Sequence, residues 1–231
     1  MKFITPKAEL LFHEDDDKLA NLRKIYAGFK RCYSSSEEAE ECPRWKSEED
    51  IAEGFIRKMM KSPHESPLEH ASLTFHVTCS RACSHQFVRH RIASYSQQSQ
   101  RYVCHKEPEI IVPPSVFNHE ERRLKFVKAM NMVDGLYHEF LDDGVPAEDA
   151  RFLLSACVAT RLVVTMNFRS LIHFFEERLC SRAQWEIKKI AWQMWSACNK
   201  EYACVFEGVG PKCKRLGRCP ELKSCGKFKR G

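Results

Sequence analysis

Two hydrophobic periods alternate along this chain. Leu19, Leu22, Ile25 and Tyr26 recur at helical spacing between residues 15 and 31, behind Asp15, Asp16 and Asp17, whose charges favour the positive end of a helix dipole. Ser34-Ser35-Ser36, the glutamates after it and Pro43 read as loop. Ser47 and Asp50 then resemble a capping box, and Ile51, Phe55, Ile56, Met59 and Met60 mark the buried face of a second helix that closes near Ser62-Pro63. From Ser72 to Cys79 the period becomes two, with Leu73, Phe75, Val77 and Cys79 on one face and Thr74, His76 and Thr78 on the other, as in a half-buried strand. Helical spacing returns through Ala82, Cys83, Gln86 and Phe87 and places Arg89, His90 and Arg91 at a helix C-terminus.

Beyond Tyr102 a Val- and Ile-rich strand-like piece runs to Pro113-Pro114. A long amphipathic helix from about His119 to Leu141 follows and reads as core support; Asp142-Asp143-Gly144 stops it, and Pro146 suits the first position of the next helix. The β-branched run Thr160–Thr165 delivers Asn167, Phe168 and Arg169 to a further helix. Ile187, Ile190, Ala191, Met194, Cys198, Tyr202 and Val205 describe one long final helix, ended by Gly208 and Gly210-Pro211. Strands near 72–79, 102–112 and 158–166 among several helices predict an α+β fold in one compact domain, residues 1–210, with a basic cysteine-containing tail, 211–231.

Composition narrows the class. The chain has 231 residues, 43% hydrophobic and 29% charged, enough for a substantial core, and no apolar run approaches the ~20 residues of a membrane span. Nothing after Met1-Lys2-Phe3 reads as a secretory signal, so the expected location is the cytoplasm. A net charge of +6 permits a phosphate-bearing partner but is modest for a nucleic-acid binder. Twelve cysteines without a secretion signal are better read as reduced thiols or metal ligands than as a disulfide framework, and Cys79, Cys83 and Cys157 as small core fillers.

Candidate chemistry concentrates between Arg89 and Arg101. Three arginines there, Arg89, Arg91 and Arg101, offer planar donor forks suited to phosphate. Ser94, Ser96, Gln97, Gln98, Ser99 and Gln100 between them can hydrogen-bond a polar ligand. A nucleotide has both needs. A second titratable stretch, His64-Glu65-Ser66-Pro67-Leu68-Glu69-His70, reads from composition as a capped turn. Arg151, at an apolar edge, reads as a snorkelling or paired surface residue. His173 and Arg178 share a helix face and can address one site.

Arg89-His90-Arg91, seven further residues and Ser99, with Ser-Tyr-Ser-Gln-Gln-Ser-Gln-Arg-Tyr ending at Tyr102, resemble the signature of the flavin-dependent thymidylate synthases. The His64–His70 stretch resembles that family's flavin-holding segment, and the resemblance extends to about Ile187. It implies a mostly antiparallel central sheet flanked by long helices, a homotetramer with sites shared between subunits, and reductive methylation of dUMP to dTMP. Methylenetetrahydrofolate would donate the carbon and FAD, recharged by NADPH, the reducing hydride. By match to the family, Gln86, Phe87, Val88, Arg89, Gln97, Gln98, Ser99, Gln100, Arg101, Arg151 and Arg178 contact dUMP. Ser66, Arg89, His90, Arg91, Gln97, Asn167, Phe168, Arg169 and His173 contact FAD, and His64 and His90 are places to look for folate. Arg178 is the catalytic candidate, stabilising charge on the uracil edge; Ser99 reads as a nucleotide ligand, since a serine without a base is inert. Arg182 stands where family members often have histidine.

The tail holds Cys213, Cys219 and Cys225 among cations, ill-suited to a hydrophobic core. With Cys180 or Cys204 as a fourth ligand they could bind zinc or an iron-sulfur cluster; free thiols in a mobile tail are the alternative. Two rivals differ in class: a basic nucleic-acid-binding protein with a metal tail, which predicts steep salt dependence, and a flavin-binding module on which dUMP has no effect.

Overall fold

The computed structural model describes residues 1–11, 15–35, 48–62, 64–103 and 107–230. The expectations placed on Pro43, Ser47 and Pro63, and on the side chains of Asp15–Asp17, lie outside what is described. In chain order the elements are β1 (Lys2–Phe3), β2 (Lys7–Leu11), α1 (Asp15–Tyr33), α2 (Glu48–Met59), a 3-10 turn (Ser66–His70), β3 (Ser72–Ser80), α3 (Arg81–Phe87) and β4 (Ser94–Gln97). Then come β5 (Glu109–Ile110), α4 (Pro114–Phe117), α5 (Glu120–Asp142), α6 (Ala147–Ala150), a 3-10 turn (Arg151–Leu153) and β6 (Ala159–Asn167). The chain closes with α7 (Phe168–Arg178), α8 (Trp185–Glu201), α9 (Ala203–Phe206) and α10 (Lys212–Leu216).

The fold is α+β. Four strands pair in the order β2-β3-β6-β4. β3 and β6 are antiparallel: the Phe168 N–H donates to the Ala71 carbonyl at 3.0 Å, the Arg81 N–H to Val158 at 2.9 Å, and the Thr74 and Thr165 hydroxyls meet at 2.9 Å between them. Alternation decides which face of β3 is inside: Leu73, Phe75, Val77 and Cys79 are buried, as expected from the period of two. By contacts the chain divides into two compact units. One comprises Met1–Lys7, Val77–Arg89 and Tyr95–Val163; the other, Ala8–His76, His90–Ser94 and Val164–Gly231, includes the tail.

In the first unit β1 pairs in parallel with β5, Lys2 opposite Glu109 and Phe3 opposite Ile110. Among the described residues of the expected strand over 102–112, only these two of β5 are regular. Pro146 is the cap preceding α6, not its first residue, and Gly144, at φ +84°, makes the turn after α5. The expectation that α5 supports the core needs correcting. Only Tyr137 of this helix is buried, while Leu124, Met132, Leu136 and Phe140 are exposed.

In the second unit α7 and α8 bury Phe168, Phe174, Phe175, Ile187, Ile190 and Met194, and α1 buries Leu22, Ile25 and Phe29. Gly28 of α1 is required by a close approach: a Cβ there would stand 3.0 Å from Cβ of Pro67 in the 3-10 turn. The final helix is broken at Tyr202, which leaves helical geometry at φ −129°, ψ 52° and separates α8 from α9. Its predicted apolar positions, Ile187 through Val205, are all buried.

Candidate active site

Within the first unit, the Ser80 hydroxyl caps α3 by accepting the Cys83 N–H at 3.1 Å. The helix ends at Phe87 and presents Gln86, Val88 and Arg89 around its C-terminus, where the sequence places the cationic cluster. Phe87 is fully buried, and its carbonyl accepts the Tyr95 hydroxyl at 2.7 Å. Its side chain is therefore a core residue, which leaves the expected nucleotide contact at this position to its backbone. Burial pushes the Tyr95 phenol up to about 12, so it remains a donor.

The polar run after it offers hydrogen bonds to a ligand, and Ser94–Gln97 within it forms the edge strand β4. Gln97 explains why: its side-chain nitrogen donates to Ser84 Oγ at 3.0 Å and Thr160 Oγ1 at 3.2 Å, joining β4 to α3 and β6. Next to it the Gln98 side-chain oxygen is buried with no hydrogen-bond partner among the described residues, which suits it to accept from a ligand. The Ser99 hydroxyl accepts the Arg101 N–H at 3.2 Å, and Gln100 lies in the turn between them. Glu148, which the sequence reading passed over, gathers two predicted phosphate residues. Its carboxylate accepts from Arg101 Nε at 2.9 Å and its carbonyl from Arg151 Nε at 2.9 Å. A carboxylate three residues before Arg151 was the available signal.

Within the second unit, α7 begins at the Asn167 cap, whose side-chain oxygen accepts the Ser170 N–H at 2.8 Å. Phe168 is fully buried against Tyr202 and Phe206, with ring centroids at 4.8 and 5.2 Å. As with Phe87, this side chain belongs to the core, which leaves the expected flavin contact at this position to its backbone. Arg169 pairs with Glu69 and, at 3.7 Å, with Glu65, so the titratable stretch is tied to the start of α7. Ser66 opens the 3-10 turn with its hydroxyl 2.9 Å from His64 Nε2, and Tyr33 holds His64 Nδ1 at 2.9 Å.

One turn further along α7, His173 is exposed while Phe174 and Arg178 face His90. The His90 ring meets Phe174 edge-on at 4.9 Å and His173 at 5.9 Å. Arg178 Nε–H donates to His90 Nε2 at 3.0 Å. The His90 imidazole is held down at about 4, first by burial, then by the Arg178 guanidinium and His173, against a smaller opposing pull from Glu177. It is therefore neutral near pH 7 and can keep accepting from Arg178. The two terminal nitrogens of Arg178 donate to none of the described residues.

Arg182 is explained by the tail: it donates to the Lys223 carbonyl at 2.7 Å and stands 3.7 Å from the Glu221 carboxylate. Cys180, Cys213, Cys219 and Cys225 line one cavity of about 470 Å³, whereas Cys204 lies in α9 and not among them. As placed, no three His, Cys, Asp or Glu side chains among the described residues are grouped so as to hold a metal ion, and the expected ligand set is not pre-arranged.

A family profile described as thymidylate synthase complementing protein matches residues 16–202. The chain is 41% identical over 237 residues to a flavin-dependent thymidylate synthase of Nitratidesulfovibrio vulgaris, covering 96% of this chain and 95% of the relative. It is 45% identical over 225 residues to one from Geobacter sulfurreducens, covering 96% and 94%. Among solved structures it is similar in fold to a UMP/dUMP methylase, PolB, from Streptomyces cacaoi, crystallised with 5-Br dUMP. The TM-score is 0.73 at 24% identity, over 90% of this chain and 96% of that one.

Proposed function

The chain belongs to the flavin-dependent thymidylate synthase family, and on that premise we propose that it is the methyltransferase converting dUMP to dTMP, with methylenetetrahydrofolate as carbon donor and NADPH as source of reducing equivalents. The observation that carries the reading is the Arg178–His90 pair: a neutral imidazole fixes Nε of a guanidinium whose two terminal nitrogens remain for a ligand.

Bound FAD would supply the hydride that completes the methyl group. The residues fit both ligands chemically. A diphosphate needs cationic and hydroxyl donors, which Arg89, Arg91, His173 and Ser66 offer; Asn167 and Arg169 would join them once Arg169 exchanges its glutamates. For the nucleotide, Gln98 supplies a buried acceptor, Arg101 and Arg151 supply forks, and Gln86, Gln97, Ser99 and Gln100 supply polar contacts.

The chain's own contribution to the chemistry is electrostatic. Attack from C5 of uracil requires electron density at that carbon, and the Arg178 guanidinium, set against N3 and the adjoining carbonyl, stabilises the negative charge that gathers there. His90 is a positioning residue. Its ring holds Arg178 by one nitrogen and takes no proton of its own near pH 7.

We assign the family's homotetramer to this chain as well. The apolar side chains that α5 leaves exposed, Leu124, Met132, Leu136 and Phe140, support burial against another copy. We assign the reaction to the cytoplasm, where its water-soluble substrates would be met. Among the described residues no helix is long and apolar enough to cross a membrane. The test is NADPH oxidation by the FAD-loaded protein under low oxygen, with and without dUMP, followed by dTMP formation with folate. Stimulation by dUMP and labelled dTMP are expected. FAD-dependent oxidation indifferent to dUMP would leave only a flavin-binding module, and salt-sensitive nucleic-acid binding without oxidation would favour the other rival.

A further inference from the structure

We propose that Cys180, Cys213, Cys219 and Cys225 form a four-thiolate site for one zinc ion that fastens the C-terminal tail to the end of α7. Three segments bring the thiols to one cavity. Cys180 lies in the turn just after α7, where its carbonyl accepts the Ala183 N–H at 3.0 Å. Cys213 sits in α10, and Cys219 and Cys225 follow on the tail.

Polar contacts hold the same segments together. Arg215 engages both oxygens of Glu176 on α7, Lys212 reaches Glu177 at 3.4 Å, and Arg182 clasps Lys223 and Glu221. The Cys219 N–H donates to the Lys229 carbonyl at 2.8 Å, folding the tail back on itself. These contacts are polar and mostly exposed. Leu216 and Leu222, the tail's large aliphatic residues, are 37% and 82% exposed. A segment with so little apolar burial gains its stability from a cross-link, and four thiolates around a tetrahedral ion are such a cross-link.

Gly226, at φ +88°, turns the chain just after Cys225. Charge points to a thiolate-bound metal. Zinc with four thiolates carries a net charge of about −2, and the cavity is lined by five lysine and arginine side chains against three glutamates. Soft thiolates select zinc over the oxygen-seeking cations. The thiols as placed are not grouped for an ion, but each sulfur turns on a single side-chain bond. Closure requires the four sulfurs to converge within the cavity, and binding releases the thiol protons to solvent.

The test is metal analysis of the full chain purified anaerobically without chelator, together with Co2+ titration of the reduced, metal-stripped protein. We expect zinc at one per chain, and sulfur-to-cobalt charge-transfer bands with tetrahedral d–d absorption that saturate at one equivalent. Cys213→Ser/Cys219→Ser should lose at least tenfold of the zinc, with Cys32→Ser, at an exposed thiol of α1, keeping all of it. Cobalt titration of the unaltered chain keeps the test valid even where the double variant folds poorly. Metal-free protein that gives no cobalt bands would overturn the proposal, as would a folded double variant with its zinc intact. Iron in place of zinc would overturn the assignment of the ion.

Discussion

Replacing His90 by phenylalanine keeps a ring against Phe174 and removes only the acceptor for Arg178 Nε. The lost contact is a 3.0 Å hydrogen bond from a charged donor in a half-buried setting. Such bonds contribute about 1.5–3 kcal/mol, and at roughly 1.4 kcal/mol per decade the expected fall in kcat/KM for dUMP is about tenfold to a hundredfold. FAD content should change little. His90→Gln, which restores an acceptor, should recover part of the loss. The acid limb supplies a second readout. Because the imidazole is held down at about 4, its protonation removes the acceptor only as pH falls toward 4, and not near its ordinary 6.5. The same depression makes the folded state bind this proton less readily than the unfolded chain. Stability from this group is therefore present above pH 6.5 and lost as pH falls through 4, by roughly 1–2 kcal/mol after allowance for solvent screening. Steady-state kinetics from pH 4.5 to 8, with flavin absorbance and urea unfolding alongside, measure both. Wild-type kcat/KM in FAD-loaded His90→Phe would refute the positioning role.

Arg178→Ala should retain bound FAD while losing dTMP formation by about 10²–10³-fold, measured as labelled product; turnover at the wild-type rate would remove this residue from the mechanism. Ser99→Ala should raise KM for dUMP and leave kcat within about tenfold, because no base serves this hydroxyl; abolished kcat at saturating dUMP would make it the nucleophile after all. Gln97→Leu strips hydrogen bonds from the buried hydroxyls of Ser84 and Thr160 and should destabilise the chain by about 1–3 kcal/mol in urea unfolding, whereas an unchanged midpoint would mean that neither bond persists in solution.

What the sequence disclosed follows from the range of each signal. Helical and strand periods are local, so α1, α5 and β3 were legible from apolar spacing, and so was the arrival of Arg89–Arg91 at a helix C-terminus. β4 was not, because Ser94–Gln97 has one apolar residue and is held by long-range bonds through Gln97. α5 misled for the opposite reason: its amphipathic pattern is real, but among the described residues nothing covers Leu124, Leu136 and Phe140 on that face, which stay exposed. At the site, the family signature marked residues by type without saying what each touches. Nothing near His90 announces Arg178, which lies 88 positions away in the chain. Likewise Asn167 and Phe168 were legible as motif members, but their side chains serve as helix cap and core.

The described thiols bear on how C5 can be activated. A thiol adding to the uracil ring must be exposed and readily ionised. Cys79, Cys83, Cys198 and Cys204 are buried, and burial pushes Cys157, Cys198 and Cys204 up, the last to about 12. Cys225 alone is held down, by Ser181 and the Lys227 N–H, and it belongs with the tail's quartet. Ser99 has its oxygen turned to the Arg101 N–H, and no described carboxylate or imidazole takes its proton. With the buried thiols held up and no described base to serve Ser99, we assign activation to a fixed positive charge. Arg178 meets that requirement because arginine cannot deprotonate, and because the neutral ring beside it holds the guanidinium without cancelling its charge, as a carboxylate partner would.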